Sequence, residues 1–192
     1  MCGCVRLLNA CKPLQRSWHC RLSSTSAPAP PTPGIPYTKL SIGIPKEIWQ
    51  NEKRVAVVPA IVSKLVNKGF TINVEENAGS FANFPNKTYE EAGAKVASLK
   101  ETFQSDIILK VRPLIDNEVQ SVRDEGTLIS FLYPAQNQEL IKKLAAKHVN
   151  AFAMDCVPRI SRAQAFDALS SMANVAGYRA VIEAAAHFPR FF

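Results

Sequence analysis

The chain has 192 residues, 47% of them hydrophobic, and a formal net charge of +7, a size that suits one domain with an appendage. The charge is uneven: Met1 to Lys46 holds six basic residues and no acidic one, while the rest holds 17 basic and 16 acidic residues. With a net of only +1 on the folded part and no recognition motif, nucleic acid is excluded as an expected partner.

The first segment, "MCGCVRLLNACKPLQRSWHCRLSSTSAPAPPTPGIPY", contains arginine, is rich in serine and lacks acidic residues, the composition of an organelle transit peptide. Arg6, Lys12 and Arg16 interrupt its apolar stretches, so a secretory signal fits poorly; composition favours the mitochondrion over the plastid. The Pro-rich run "APAPPTPGIP" reads as a linker, which places leader and linker in residues 1–38. Cys2, Cys4, Cys11 and Cys20 all lie in this leader. Cys156 then stands alone, which gives no disulfide framework or cysteine zinc site and predicts packing as a small hydrophobe.

From residue 39 short strands and helices alternate. "KLSIGI" (39–44) reads as a strand, and "PAIVSKLVNKG" (59–69) as a helix with a terminal glycine cap. "FTINVEE" (70–76) alternates as a strand, and "TYEEAGA" (88–94) is a short helix closed by Gly93. "SDIILKV" (105–111) is a compact apolar run, followed by the helix "DNEVQSVRDEG" (116–126) ending at glycine. "TLISFLY" (127–133) is a strand, "NQELIKKLAAKH" (137–148) a helix with a basic last turn, and "VNAFAMD" (149–155) a strand. The alternation implies an α/β fold, a mostly parallel sheet with helices on both faces. Ligand sites in such sheets lie beyond the carboxyl ends of strands, here after Ile44, Lys110, Tyr133 and Asp155. No stretch approaches the roughly 18 apolar residues of a membrane span.

The last stretch, "PRISRAQAFDALSSMANVAGYRAV" (158–181), opens with Ser161 and Gln164 at capping-box spacing. Gln164, Asp167, Ser171 and Asn174 fall on roughly one helical face, with Arg159 just outside the cap. That face suits either solvent or a ligand. The loop "PKEIWQNEKRVAVVP" (45–59) carries Lys46, Glu47 and Arg54; it is either solvated or anion-binding. Lys110, at the end of an apolar run, needs a partner if buried. The three histidines form no evident metal cluster or triad. The eight glycines never form G-x-G, so the pyrophosphate turn of a complete dinucleotide-binding domain is missing.

"IGIPKEIWQNEKRVAVVP", "DIILKVRP", "GTLISFLYPAQN" and "MDCVPRISRAQAFDALSSMANVAGYRAV" occur in this order. Together they resemble the N-terminal domain shared by alanine dehydrogenases and proton-translocating NAD(P) transhydrogenases. The resemblance implies a flavodoxin-like or Rossmann-like N-terminal subdomain over residues 39–170. Residues 171–192 would be a helix leading to a Rossmann domain not found in these residues. Alanine dehydrogenases carry a catalytic histidine where this chain has Tyr133, and tyrosine is a poor proton shuttle near neutral pH. "FLYPAQN" and "RAQAFDALSSMAN" resemble the transhydrogenase branch, whose reaction moves a hydride from NADH to NADP coupled to proton movement across the inner membrane.

For this branch the resemblance implies NAD(H) as cofactor, held at the nicotinamide end by Arg159, Ile160, Ser161, Gln164, Asp167 and Ser170. NADP(H) would belong to a domain absent from this chain. Expected partners are the Rossmann, membrane and NADP domains of the same enzyme and a second copy in a homodimer, with this domain on the matrix side. Arg54 and Lys110 match the positions that hold the oxo-acid substrate in alanine dehydrogenases, and are expected here to be structural or to shape the cleft. Lacking the adenosine and pyrophosphate contacts, the chain alone is expected to bind NAD weakly or not at all. Two alternatives stay open: a non-catalytic truncated isoform acting by subunit association, and an alanine-dehydrogenase-like enzyme fragment, against which Tyr133 argues.

Overall fold

Short runs of β-branched and aliphatic residues pair side by side to form the sheet, each too brief to span more than one layer. They are β1 (Ser41–Ile44), β2 (Thr71–Glu75), β3 (Lys95–Ala97), β4 (Ile107–Leu109), β5 (Thr127–Ser130) and β6 (Asn150–Ala153). This computed structural model describes residues 34–189, so the leader reading up to residue 33 lies outside the described residues. All neighbouring strands are parallel, in the order β3-β2-β1-β4-β5-β6. Every return therefore requires a crossover, supplied by α1 (Pro59–Asn67), α2 (Asn86–Glu91), α3 (Leu99–Phe103), α4 (Asp116–Ser121) and α5 (Gln138–Ala146). A final helix, α6 (Ala168–His187), follows β6 and a 3₁₀ segment. Among the described residues no helix is long and apolar enough to cross a membrane.

Strand alternation sends side chains to two cores. Ile42, Ile44, Ile72 and Val74 meet Val62 of α1 and Tyr89 of α2 on one face. Ile108 and Leu128 meet Phe103 of α3, Val119 of α4, and Leu140 and Leu144 of α5 on the other. Tyr89 is fully buried and donates its phenol to the Val57 carbonyl at 3.0 Å; burial pushes its pKa up to about 12. Over β5 and β6 the first face is open: Phe152, paired in register with Ile129, is 58% exposed. The helices thus cover both faces of the sheet centre and only one face of this edge.

Several local expectations are corrected. The helix expected through Gly126 ends at Ser121, because Val122 turns to extended backbone and buries its side chain in the second core. A strand and helix unassigned in the sequence reading, β3 and α3, occupy residues 95–103. Here lies a real capping box: the Glu101 amide donates to Ser98 Oγ at 3.4 Å, and the Ser98 amide to Glu101 at 3.2 Å. The box expected at Ser161 and Gln164 does not form. Ser161–Phe166 is a 3₁₀ turn without a side-chain cap, bracketed by extended backbone at Ile160 and Asp167. Asp167 instead caps α6, accepting from the Leu169 amide at 2.9 Å. Gln164 and Asp167 therefore do not share a helical face with Ser171 and Asn174. Cys156 does not pack as a hydrophobe; it is exposed on the turn that leaves β6.

At Gly43 the last turn of α3 lies directly on β1: a Cβ there would stand 2.1 Å from the Thr102 carbonyl oxygen. Backbone cannot retreat from that contact as a flexible side chain could. Gly43→Ala is expected to destabilise the chain by about 3 kcal/mol, read as a lower urea midpoint at unchanged slope.

Candidate functional site

Beyond the carboxyl ends of β5 and β6 the chain runs through Met154–Cys156, Pro158 and the 3₁₀ turn before α6 begins. This path folds Arg159, Ile160, Ser161, Gln164, Asp167 and Ser170 around one open cavity of about 320 Å³. Asp167 anchors it, accepting from the Leu169 amide at 2.9 Å and from the Ser170 hydroxyl at 2.8 Å. The Ser170 hydroxyl bond, the helix amide and the nearby Arg159 charge hold its carboxyl below the usual carboxylate range. The wall thus offers a guanidinium, a carboxamide, a hydroxyl and an ionised carboxylate, a set able to hydrogen-bond a flat amide-bearing ring.

A second cavity of about 410 Å³ shares Arg159 and Asp167 and adds Arg54, Arg112, Tyr133 and Asp155. Its two further arginines are organised by Glu52, whose side chain is only 4% exposed. Glu52 takes a forked pair from Arg54, Nε to Oε1 and Nη2 to Oε2 at 2.7 Å each, and a third bond from Arg112 Nε at 2.8 Å. The remaining Arg54 nitrogen donates to Met172 Sδ of α6 at 3.6 Å. Tyr133 stands here with a left-handed φ of 48°, a conformation that costs a bulky residue about 1–2 kcal/mol. Asp155 holds it there, accepting from the Leu132 amide at 2.9 Å and the Tyr133 amide at 3.1 Å.

Lys110 lines neither cavity. Its side chain is fully buried, with Nζ 3.0 Å from Glu47 Oε2 and 3.4 Å from Glu118 Oε1. Burial pushes the Glu118 carboxyl above its ordinary pKa, against the opposing pull of the Lys110 charge. Arg54 and Lys110 are therefore separated in role: one faces a cavity and the other faces two carboxylates. Sequence reading missed Glu52, Arg112 and Glu118. The usable signal was the demand itself, since a lysine at the end of an apolar strand requires buried carboxylates, and "DNEVQS" places Glu118 eight residues after it.

Six parallel strands wound in two directions from β1, with ligand-sized cavities past their carboxyl ends, define a Rossmann-like α/β domain. The chain belongs to the family described as alanine dehydrogenase/PNT, N-terminal domain, whose model matches residues 43–176. It is 52% identical over 151 residues to an NAD(P) transhydrogenase subunit alpha from Haemophilus influenzae, covering 79% of this chain and 30% of that subunit. It is 36% identical over 137 residues to an alanine dehydrogenase from Bacillus subtilis, covering 71% of this chain and 35% of that enzyme. The solved transhydrogenase from Sinorhizobium meliloti superposes with a TM-score of 0.74 at 41% identity, over 78% of this chain and 45% of that one. The chain thus spans about a third of the length of these curated relatives.

The hydrogen bonds of Glu52, those from Arg54 foremost, hold its carboxyl down at about 2 against an ordinary 4.5. Between those values the folded chain binds fewer protons than the unfolded one. The stabilisation is complete above pH 4.5 and is lost as pH falls toward 2. Urea unfolding across this window is expected to show Glu52→Gln with a shallower pH slope than the parent, by up to one proton. An unchanged slope removes Glu52 as the source.

Proposed function

We propose that the chain is the nicotinamide-side part of the NAD(H)-binding domain of a proton-translocating transhydrogenase, which passes hydride from NADH to NADP+. The observation that carries this reading is the coincidence of two independent facts. The six residues singled out by resemblance are the six that line one cavity. Similarity to transhydrogenase alpha subunits over most of the chain supports the same branch.

When bound, the nicotinamide supplies the hydride chemistry; the protein's task is orientation and exclusion of water. Arg159 and Gln164 can donate to a carboxamide oxygen, and the Asp167 carboxylate can accept from its nitrogen. None of these needs to change protonation during direct hydride transfer. The alanine-dehydrogenase alternative requires an acid–base group where Tyr133 stands, in the second cavity with Arg54 and Asp155.

On this reading the remaining contacts come from other parts of the enzyme: a glycine-loop Rossmann domain, membrane segments and an NADP(H) domain, in a homodimer. The exposed apolar side chains of α6, among them Leu169, Met172, Val175, Tyr178, Val181 and Ile182, fit a helix covered by such domains. The acid-free leader supports a mitochondrial protein with this domain on the matrix side of the inner membrane.

Calorimetry tests the reading directly. NADH is expected to bind this chain weakly or not at all, and to bind tightly when the chain is joined to a glycine-loop nucleotide domain of a transhydrogenase. In the joined protein Arg159→Ala is expected to weaken NADH by about tenfold, near 1.4 kcal/mol. Micromolar NADH binding by the 192-residue chain alone overturns the half-site reading. An Arg159→Ala variant of unchanged affinity overturns the placement of the nicotinamide.

A further inference from the structure

We infer that Lys110 is a positioning residue for the arginine pair of the second cavity, and is not a ligand of anything bound there. Its ammonium has no exposure and sits between two buried carboxylates, so withdrawing it toward a ligand would leave Glu47 and Glu118 unpaired in the interior. Glu47 is the link. Its Oε2 meets Lys110 Nζ at 3.0 Å and the Arg112 amide at 3.4 Å, while Oε1 accepts from the Val111 amide at 2.6 Å. The backbone immediately after Lys110 is thereby pinned to the loop after β1. Glu118 braces the other side, because its Oε2 accepts from the Ile115 amide at 2.9 Å at the start of α4.

From the pinned backbone the Arg112 side chain reaches Glu52, and Glu52 in turn forks onto Arg54. Trp49 Nε1 adds a further tie between the same two segments, donating to the Pro113 carbonyl at 3.1 Å. A charge that never touches the cavity therefore sets where its two guanidinium groups stand. That these groups flank a nicotinamide site rests on the function proposed above; the positioning itself does not.

The experiment uses the ¹⁵N-labelled chain without ligand, following the Nε–Hε signals of Arg54 and Arg112 and the Val111 amide. Lys110→Met is expected to move all three while Ile72 and Val74 in the opposite core stay in place, and Lys110→Arg to restore them. Arg54 and Arg112 signals unmoved by Lys110→Met overturn the inference, as does failure of Lys110→Arg to restore them in a folded chain. If Lys110→Met does not fold, Glu118→Gln removes one carboxylate charge from the lysine at equal size. It is expected to shift Val111 and Arg112 in the folded chain, and unmoved signals again overturn the inference. Adding NADH to the chain joined to a glycine-loop nucleotide domain forms a separate arm. An Arg159 signal that does not respond counts against the cofactor reading and leaves the Lys110 result standing.

Discussion

A lysine ammonium sealed from water is the constraint around which this end of the molecule is arranged. Isolated, such a charge is too costly to bury; flanked by Glu47 and Glu118 it becomes a junction. Three segments meet there: the loop after β1, the end of β4 and the start of α4. β1 and β4 are the strands at which the sheet changes winding direction, so the junction sits where such sheets place a cleft.

The second cavity shows how charge is rationed in this region. Glu52 satisfies two arginines, Asp155 is committed to the Leu132 and Tyr133 amides, and Asp167 to its helix cap. Each acid is thus engaged by the protein itself, while Arg54 Nη1 reaches Met172 Sδ. The backbone strain at Tyr133 belongs to the same arrangement: two amide bonds to one carboxylate hold a conformation that a tyrosine would not choose alone.

Much of the sheet was legible because its strands are apolar runs punctuated by turn residues; Gly69 and Gly93 both adopt the left-handed backbone that closes a helix. β3 and α3 escaped because three and five residues carry too little periodicity to be heard above "GAKVASLKETF". The capping signal misled at Ser161 because spacing alone cannot reveal that Asp167 interrupts the helix six residues later. Residues gathered by chain-local folding, Arg159 to Ser170, lie in one motif and were singled out by resemblance. Glu52 and Glu118 were not, since their partners Arg112 and Lys110 arrive from other strands and loops through tertiary packing.

Asp167 carries two duties that are separate in most proteins: it starts α6 and it forms part of a cavity wall. Anything that draws on its oxygens from the cavity shares them with the Leu169 amide and the Ser170 hydroxyl. Occupancy of the cavity and order in the first turn of the helix are then a single linked equilibrium, each biasing the other by the same free energy. The first turn of α6 and this part of the wall therefore share one carboxylate, and neither can rearrange without the other.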